Sequence, residues 1–131
     1  LVRRGILEMI GDENAPLQRR AFIFSHEKIR QALLNLLKNA REACSRKSDK
    51  KIQVKARKLS AGNTTLTISD NGEGILPDVL DKIFVPFFTT KTSGSGIGLS
   101  LCKQIMTLHE GSINVKSEVG KGSSFILTFP K

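Results

Sequence analysis

Residues His26 to Cys44 read HEKIRQALLNLLKNAREAC, and their periodicity decides the architecture. Ile29, Ala32, Leu33, Leu36, Leu37, Ala40, Ala43 and Cys44 recur at helical spacing, which predicts one long amphipathic helix with Ser25 as its N-cap. At about 100° per residue the apolar set fills one face, while Gln31, Asn35, Asn39 and Glu42 fall on the opposite one. Before this helix, Arg20 to Ser25 alternates around Phe22 and Phe24 and reads as a strand, and Leu1 to Pro16 holds a helical turn and a polar break at Gly11 to Asn14. After it, Lys51–Lys58 and Thr64–Ser69 alternate with period two around Ala61, Gly62 and Asn63, the pattern of a hairpin. A glycine loop, Asp70 to Gly74, leads to a short helix opening at Pro77 with Asp78 in its first turn. Val85 to Gly98 is too rich in Pro, Thr and Gly for regular structure and reads as a long, mobile loop. Gly98 to His109 is helical again through Leu99, Cys102, Ile105 and Met106, with Gly111 expected as the C-cap. Ile113 and Val115, then Phe125, Leu127 and Phe129, form two closing strands around a Gly120, Gly122 turn. This order predicts an α+β fold, a two-layer α/β sandwich in which a mixed β-sheet carries helices on one face.

The 131 residues, 39% apolar and 25% charged, suit one globular domain that folds without disulfides or metal clips. Cys44 and Cys102 both fall on apolar stripes and are expected as buried free thiols of a reducing compartment. No apolar run reaches the roughly 18 residues of a membrane span, and no secretory signal opens the chain. A cytoplasmic, soluble segment without membrane contact is expected, and a start at Leu1 reads as a piece of a longer protein that is itself open to membrane anchoring.

The formal charge is +9, with eight basic residues between Arg41 and Lys58 against Glu42 and Asp49. That run reads as a solvated helix end and strand face. With no Trp, no Tyr and no aromatic interleaved in the run, a single-strand nucleic-acid groove is not expected.

Three weak signals carry chemistry. Asn35, Asn39 and Glu42 stand at i, i+4 and i+7 on one helix face, and an amide oxygen is a hard ligand suited to Mg²⁺. Asp70 ends a strand where a carboxylate can accept a hydrogen bond from an exocyclic amine, and Gly72 and Gly74 permit close backbone approach. Gly94, Ser95, Gly96, Ile97, Gly98 and Leu99 precede and open a helix whose free N–H groups and dipole favour an anion, with Lys91 just upstream. There is no GxxxxGK[ST], and Leu99 stands where a GxGxxG fingerprint needs its last glycine.

In this order, the blocks QALLNLLKNAREA, DNGEGI, KIFVPFFTTK, GSGIGLSLCK and HEGSINVKSEVGKGSSFILTFP resemble the ATP-binding catalytic domain of sensor histidine kinases, in the superfamily of gyrase, Hsp90 and MutL. They cover about residues 26 to 130 of a single domain, with 1–25 as its leading helix and first strand. The resemblance implies a Bergerat-type ATP-binding fold with ATP and Mg²⁺ as cofactors. It implies that Asn39 holds the metal with Asn35 and Glu42 in its polar shell, and that Asp70 binds the adenine amine and so selects ATP over GTP. Gly72, Gly74 and Ile75 would line the adenine slot, and Ser123 would be a further cofactor-binding residue. Val85 to Gly98 would form the lid, with Lys91 and the Gly96, Ile97, Gly98 and Leu99 backbone around the phosphates and Thr90, Gly94 and Ser95 as further cofactor-binding residues. Asn35, Asn39 and Lys91 would stand at the chemistry, although Lys38 and Arg41 compete with Lys91 for the γ-phosphate.

The implied reaction is transfer of the γ-phosphoryl group to a histidine on a separate helical dimerisation domain of the same protein, docked through Phe84, Phe87 and Phe88. The resemblance further implies a response regulator downstream and a homodimeric whole protein. His26 lacks a following Pro and His109 sits in an HxG context, so the acceptor is expected upstream of Leu1. Relatives that hydrolyse ATP or phosphorylate serine carry a Glu general base where this chain has Asn35, which disfavours an anti-sigma-type serine kinase or an ATPase module. The remaining alternative is a non-catalytic pseudokinase that only holds a partner.

Overall fold

The computed structural model describes residues 26–88 and 98–130. Helix α1 (His26–Ala43) is followed by strands β1 (Ile52–Lys58) and β2 (Thr64–Asp70), the short helix α2 (Pro77–Leu80), helix α3 (Gly98–Leu108), and strands β3 (Ser112–Glu118) and β4 (Gly122–Phe129). The strands form one sheet in the order β1-β2-β4-β3, antiparallel throughout. The mixed sheet expected from sequence is therefore not seen among the described strands: both hairpins join sequence neighbours head to tail, and β2 meets β4 antiparallel as well. The strand expected at Arg20 to Ser25, the helix N-cap Ser25 and the leading helical turn lie outside the described residues.

The alternation read in β2 and β4 has a direct packing consequence. Leu66, Ile68 and Asp70 on β2 and Ser123, Phe125, Leu127 and Phe129 on β4 point to the same face and are buried. Ile29, Ala32, Leu36 and Ala40 of α1 and Cys102, Ile105 and Met106 of α3 close over that face. Each fully buried Leu, Ile or Phe here contributes about 1.5–3 kcal/mol relative to exposure. Strand β1 is an edge whose Lys55, Arg57 and Lys58 are exposed, so much of the basic run discourages edge-to-edge pairing. Both cysteines are buried and free, as expected.

Helix α3 ends differently from expectation. Gly111 N–H bonds to the Met106 carbonyl (2.8 Å) and Glu110 N–H to that of Thr107 (3.0 Å), a Schellman ending. The left-handed residue in it is Glu110, with φ 59°, and not Gly111. Gly111 is instead needed because a Cβ there would strike the Thr128 carbonyl and the Met106 methyl.

Candidate functional site

Asp70 closes β2 on the buried side of the sheet and is 8% exposed. Its Oδ1 accepts the Gly72 N–H at 2.8 Å, an Asx-type turn that starts the glycine loop. Its Oδ2 is buried and has no hydrogen-bond partner among the described residues. Burial pushes the carboxyl above its ordinary value, and backbone hydrogen bonds from Gly72 and Ser123 pull partly back. A buried acceptor left open is costly unless something donates to it. An amine-bearing ligand fits that atom.

The loop after Asp70 is braced on both sides. Gly72 presses against the Ala43 carbonyl at the end of α1, where a Cβ could not fit, and Glu73 N–H bonds to the same carbonyl at 3.3 Å. Gly74, with φ 78°, presses on the backbone of Glu118 and Val119, and Gly120 N–H returns to the Glu73 carbonyl at 2.9 Å. Both glycines thus have an intramolecular reason that the sequence did not disclose. Ile75, half-buried, donates its N–H to Ser117 Oγ at 2.8 Å. Ser117 Oγ in turn lies 2.7 Å from Ser123 Oγ, and Ser123 pairs with Asp70 in the β2–β4 ladder. Asp70, Gly72, Gly74, Ile75 and Ser123 therefore form one cluster at one end of the sheet.

A second cluster lies along α1. The polar line of this helix is not wholly outward: Asn35 and Asn39 are half-buried, while Gln31 and Glu42 are exposed. The reason is α3, which packs across that edge of α1. Gly98, its first residue, has Asn35 as its nearest described neighbour in the Cβ direction, at 4.0 Å, and the Asn35 amide hydrogen-bonds the Cys102 sulfur. Burial pushes the Cys102 thiol up to about 11, partly offset by that bond, and Sγ–H also reaches the Ala32 carbonyl at 3.4 Å. Asn35 meets Gly98 and Ala43 meets Gly72, eight residues apart on one helix, so the two clusters are separated by about 12 Å along its axis. Asn39 lies midway, and Leu99 is half-buried beside Gly98. Thr90, Lys91, Gly94, Ser95, Gly96 and Ile97 lie outside the described residues.

Past α2, the turns Lys82–Val85 and Val85–Phe88 set the three phenylalanines apart. Phe84 packs on the core with Lys103 Nζ 5.6 Å from its ring centroid, Phe88 is half-buried, and Phe87 is 76% exposed at φ 67°. An aromatic residue in the left-handed region is strained, and here the strain accompanies an apolar side chain held outward.

Three residues of this region have no site role in the sequence reading, which names Gly122 only as part of a turn. Asn71 latches the α1–β1 connection, accepting from Lys51 N–H (2.9 Å) and donating to the Asp49 carbonyl (2.7 Å). Gly122, at φ 127°, closes on the Asp70 carbonyl, and Ser117 joins the loop to β4. The period-two pattern Ile113, Val115, Ser117 carried a signal for the last, since it puts a hydroxyl on the inward face. Among the described residues no group of three or more His, Cys, Asp or Glu side chains could hold a metal ion, and no helix is long and apolar enough to cross a membrane.

The chain resembles known proteins over the same span. Residues 25–131 match the model of the histidine kinase-, DNA gyrase B- and HSP90-like ATPases. Sensor histidine kinase ZraS of Salmonella typhimurium is 41% identical over 104 residues, 79% of this chain and 22% of its own length. AtoS of Escherichia coli, a signal transduction histidine-protein kinase, is 43% identical over 79% of this chain and 17% of its own length. The chain thus spans about a fifth of these relatives. Among solved structures, the nucleotide-free catalytic domain of histidine kinase ThkA superposes with a TM-score of 0.69 at 36% identity, covering 80% of this chain and 67% of that one. The mycobacterial sensor histidine kinase MprB gives 0.71 at 27% identity over 79% of this chain and 72% of that one. By sequence and fold, the chain belongs to the family of histidine kinase-, DNA gyrase B- and HSP90-like ATPases and carries the catalytic-domain fold of its histidine kinases.

Proposed function

We propose that this chain, a single ATP-binding catalytic domain, holds Mg-ATP and presents the γ-phosphoryl group to a histidine on a separate helical dimerisation domain of the same homodimeric protein, upstream of a response regulator. The observation that carries the reading is Asp70 Oδ2, a buried acceptor for which the described chain supplies no donor. An ionised carboxylate only accepts, so Asp70 welcomes the amine of adenine and is left facing a carbonyl by guanine. Gly72, Gly74, Ile75 and Ser123 supply the wall around it. Asn39 offers an amide oxygen to Mg²⁺, with Asn35 and Glu42 one turn to either side, and the opening of α3 at Gly98 and Leu99 offers free N–H groups to phosphates. Bound Mg-ATP supplies the transferable group; the protein supplies position and charge. Lys91 and the residues from Thr90 to Ile97 complete the lid in this reading.

Asn35 donates to Cys102 and has no basic site, which speaks against serine phosphorylation or ATP hydrolysis. Phe87, with Phe84 and Phe88 behind it, is the apolar surface for the dimerisation domain. Calorimetric titration with ATP and GTP, each with and without Mg²⁺, tests the reading. ATP should bind, GTP should not, Asp70→Ala should abolish binding, and Asn39→Ala should remove the Mg²⁺ dependence. Binding of neither nucleotide would refute it and favour the partner-holding module.

A further inference from the structure

Ser117 of β3 has no part in the functions proposed so far, yet its hydroxyl stands where the glycine loop, β3 and β4 meet. Its Oγ accepts the Ile75 N–H at 2.8 Å, donates to the Gly122 carbonyl at 3.1 Å and lies 2.7 Å from Ser123 Oγ. A hydroxyl owns one proton. The Gly122 oxygen can only accept, so when it takes the Ser117 proton, the proton between the two hydroxyls is that of Ser123. The opposite arrangement leaves the Gly122 contact without its hydrogen and gives the Ser123 proton no acceptor among the described residues, where Asp70 Oδ2 across the ladder has no partner. Only the first arrangement uses both protons.

We propose that Ser117 is a positioning residue that determines specificity: by taking the Ser123 proton it leaves the wall beside Asp70 with acceptors alone, Ser123 Oγ and Asp70 Oδ2. Such a wall selects a ligand edge that donates two hydrogens, as an exocyclic amine does. This rests on the nucleotide reading above and deepens it, because discrimination then belongs to a pair of acceptors and not to Asp70 alone.

The test titrates the 131-residue chain with ATP and with a purine nucleoside triphosphate lacking the 6-amine. Ser117→Ala should weaken ATP about fivefold while leaving the amine-free analogue nearly unchanged, the size expected for one neutral hydrogen bond. Ser117→Thr, which keeps the hydroxyl, should restore the wild-type ratio. On a Ser123→Ala background, Ser117→Ala should not change the ratio further, because the group it orients is gone. Equal weakening of both ligands, or the same change of ratio without Ser123, would make Ser117 a brace and overturn the assignment. Failure of the wild-type chain to bind ATP would instead sink the nucleotide reading itself, and the specificity role with it.

Discussion

Gly122 at the start of β4 closes directly on the backbone carbonyl of Asp70 at the end of β2, leaving no space for a side chain between them. Its φ of 127° is also one that other residues rarely adopt. Gly122→Ala should therefore destabilise the fold by about 2 kcal/mol or more through strain and displacement of β2. It should also lower ATP affinity by moving Asp70, and denaturant unfolding paired with calorimetry would register both losses. Retention of full stability would show that the strand end yields easily.

Asp70→Asn should separate stability from binding. The folded carboxyl keeps its proton to higher pH than the unfolded one. The folded state therefore binds more protons between the ordinary and the raised value, and stability from this group is lost as pH rises through that window. The neutral amide removes that cost, so the variant should melt higher than wild type at pH 7, with the pH slope in the window flattened. Its ATP affinity should fall by about tenfold or more, the scale of a charge-assisted hydrogen bond. Thermal melts from pH 4 to 8, with and without ATP, check both.

Glu110→Gly should stabilise the chain. Glu110 is the left-handed residue of the α3 ending, where a glycine avoids a penalty of about 1 kcal/mol. Gly111→Ala, one residue on, should do the reverse, since its Cβ would meet Thr128 and Met106. Melting temperatures moving in opposite directions for the two variants are the expected result.

Gly98→Ala should leave the fold intact, because among the described residues its Cβ would find only Asn35, at an ordinary contact of 4.0 Å. A helix gains roughly 0.5–1 kcal/mol from alanine over glycine, so the melting temperature should hold or rise. Any loss of ATP affinity in this variant then reports on the lid and the phosphates alone. A lower melting temperature would contradict this.

The linear chain determined most of the frame. The eight apolar positions from Ile29 to Cys44, the hairpin around Gly62, and Asp70 at a strand end were legible because helix and strand periodicities are local properties. The motif order likewise assigns Asn39, Asp70 and Gly98 to one candidate site.

Tertiary structure alone decided what those residues touch. Gly72 is a glycine because of Ala43, Gly74 because of Glu118, and Gly122 because of Asp70. Asn35, read as outward, faces Cys102 because α3 lies across that edge of α1. The partnership of Ser117 and Ser123 depends on the register of β3 against β4, and that of Asp70 and Ser123 on β2 meeting β4 across 53 residues of chain. Periodicity tells which face a side chain occupies; only the closing of distant segments on one another tells what stands opposite it.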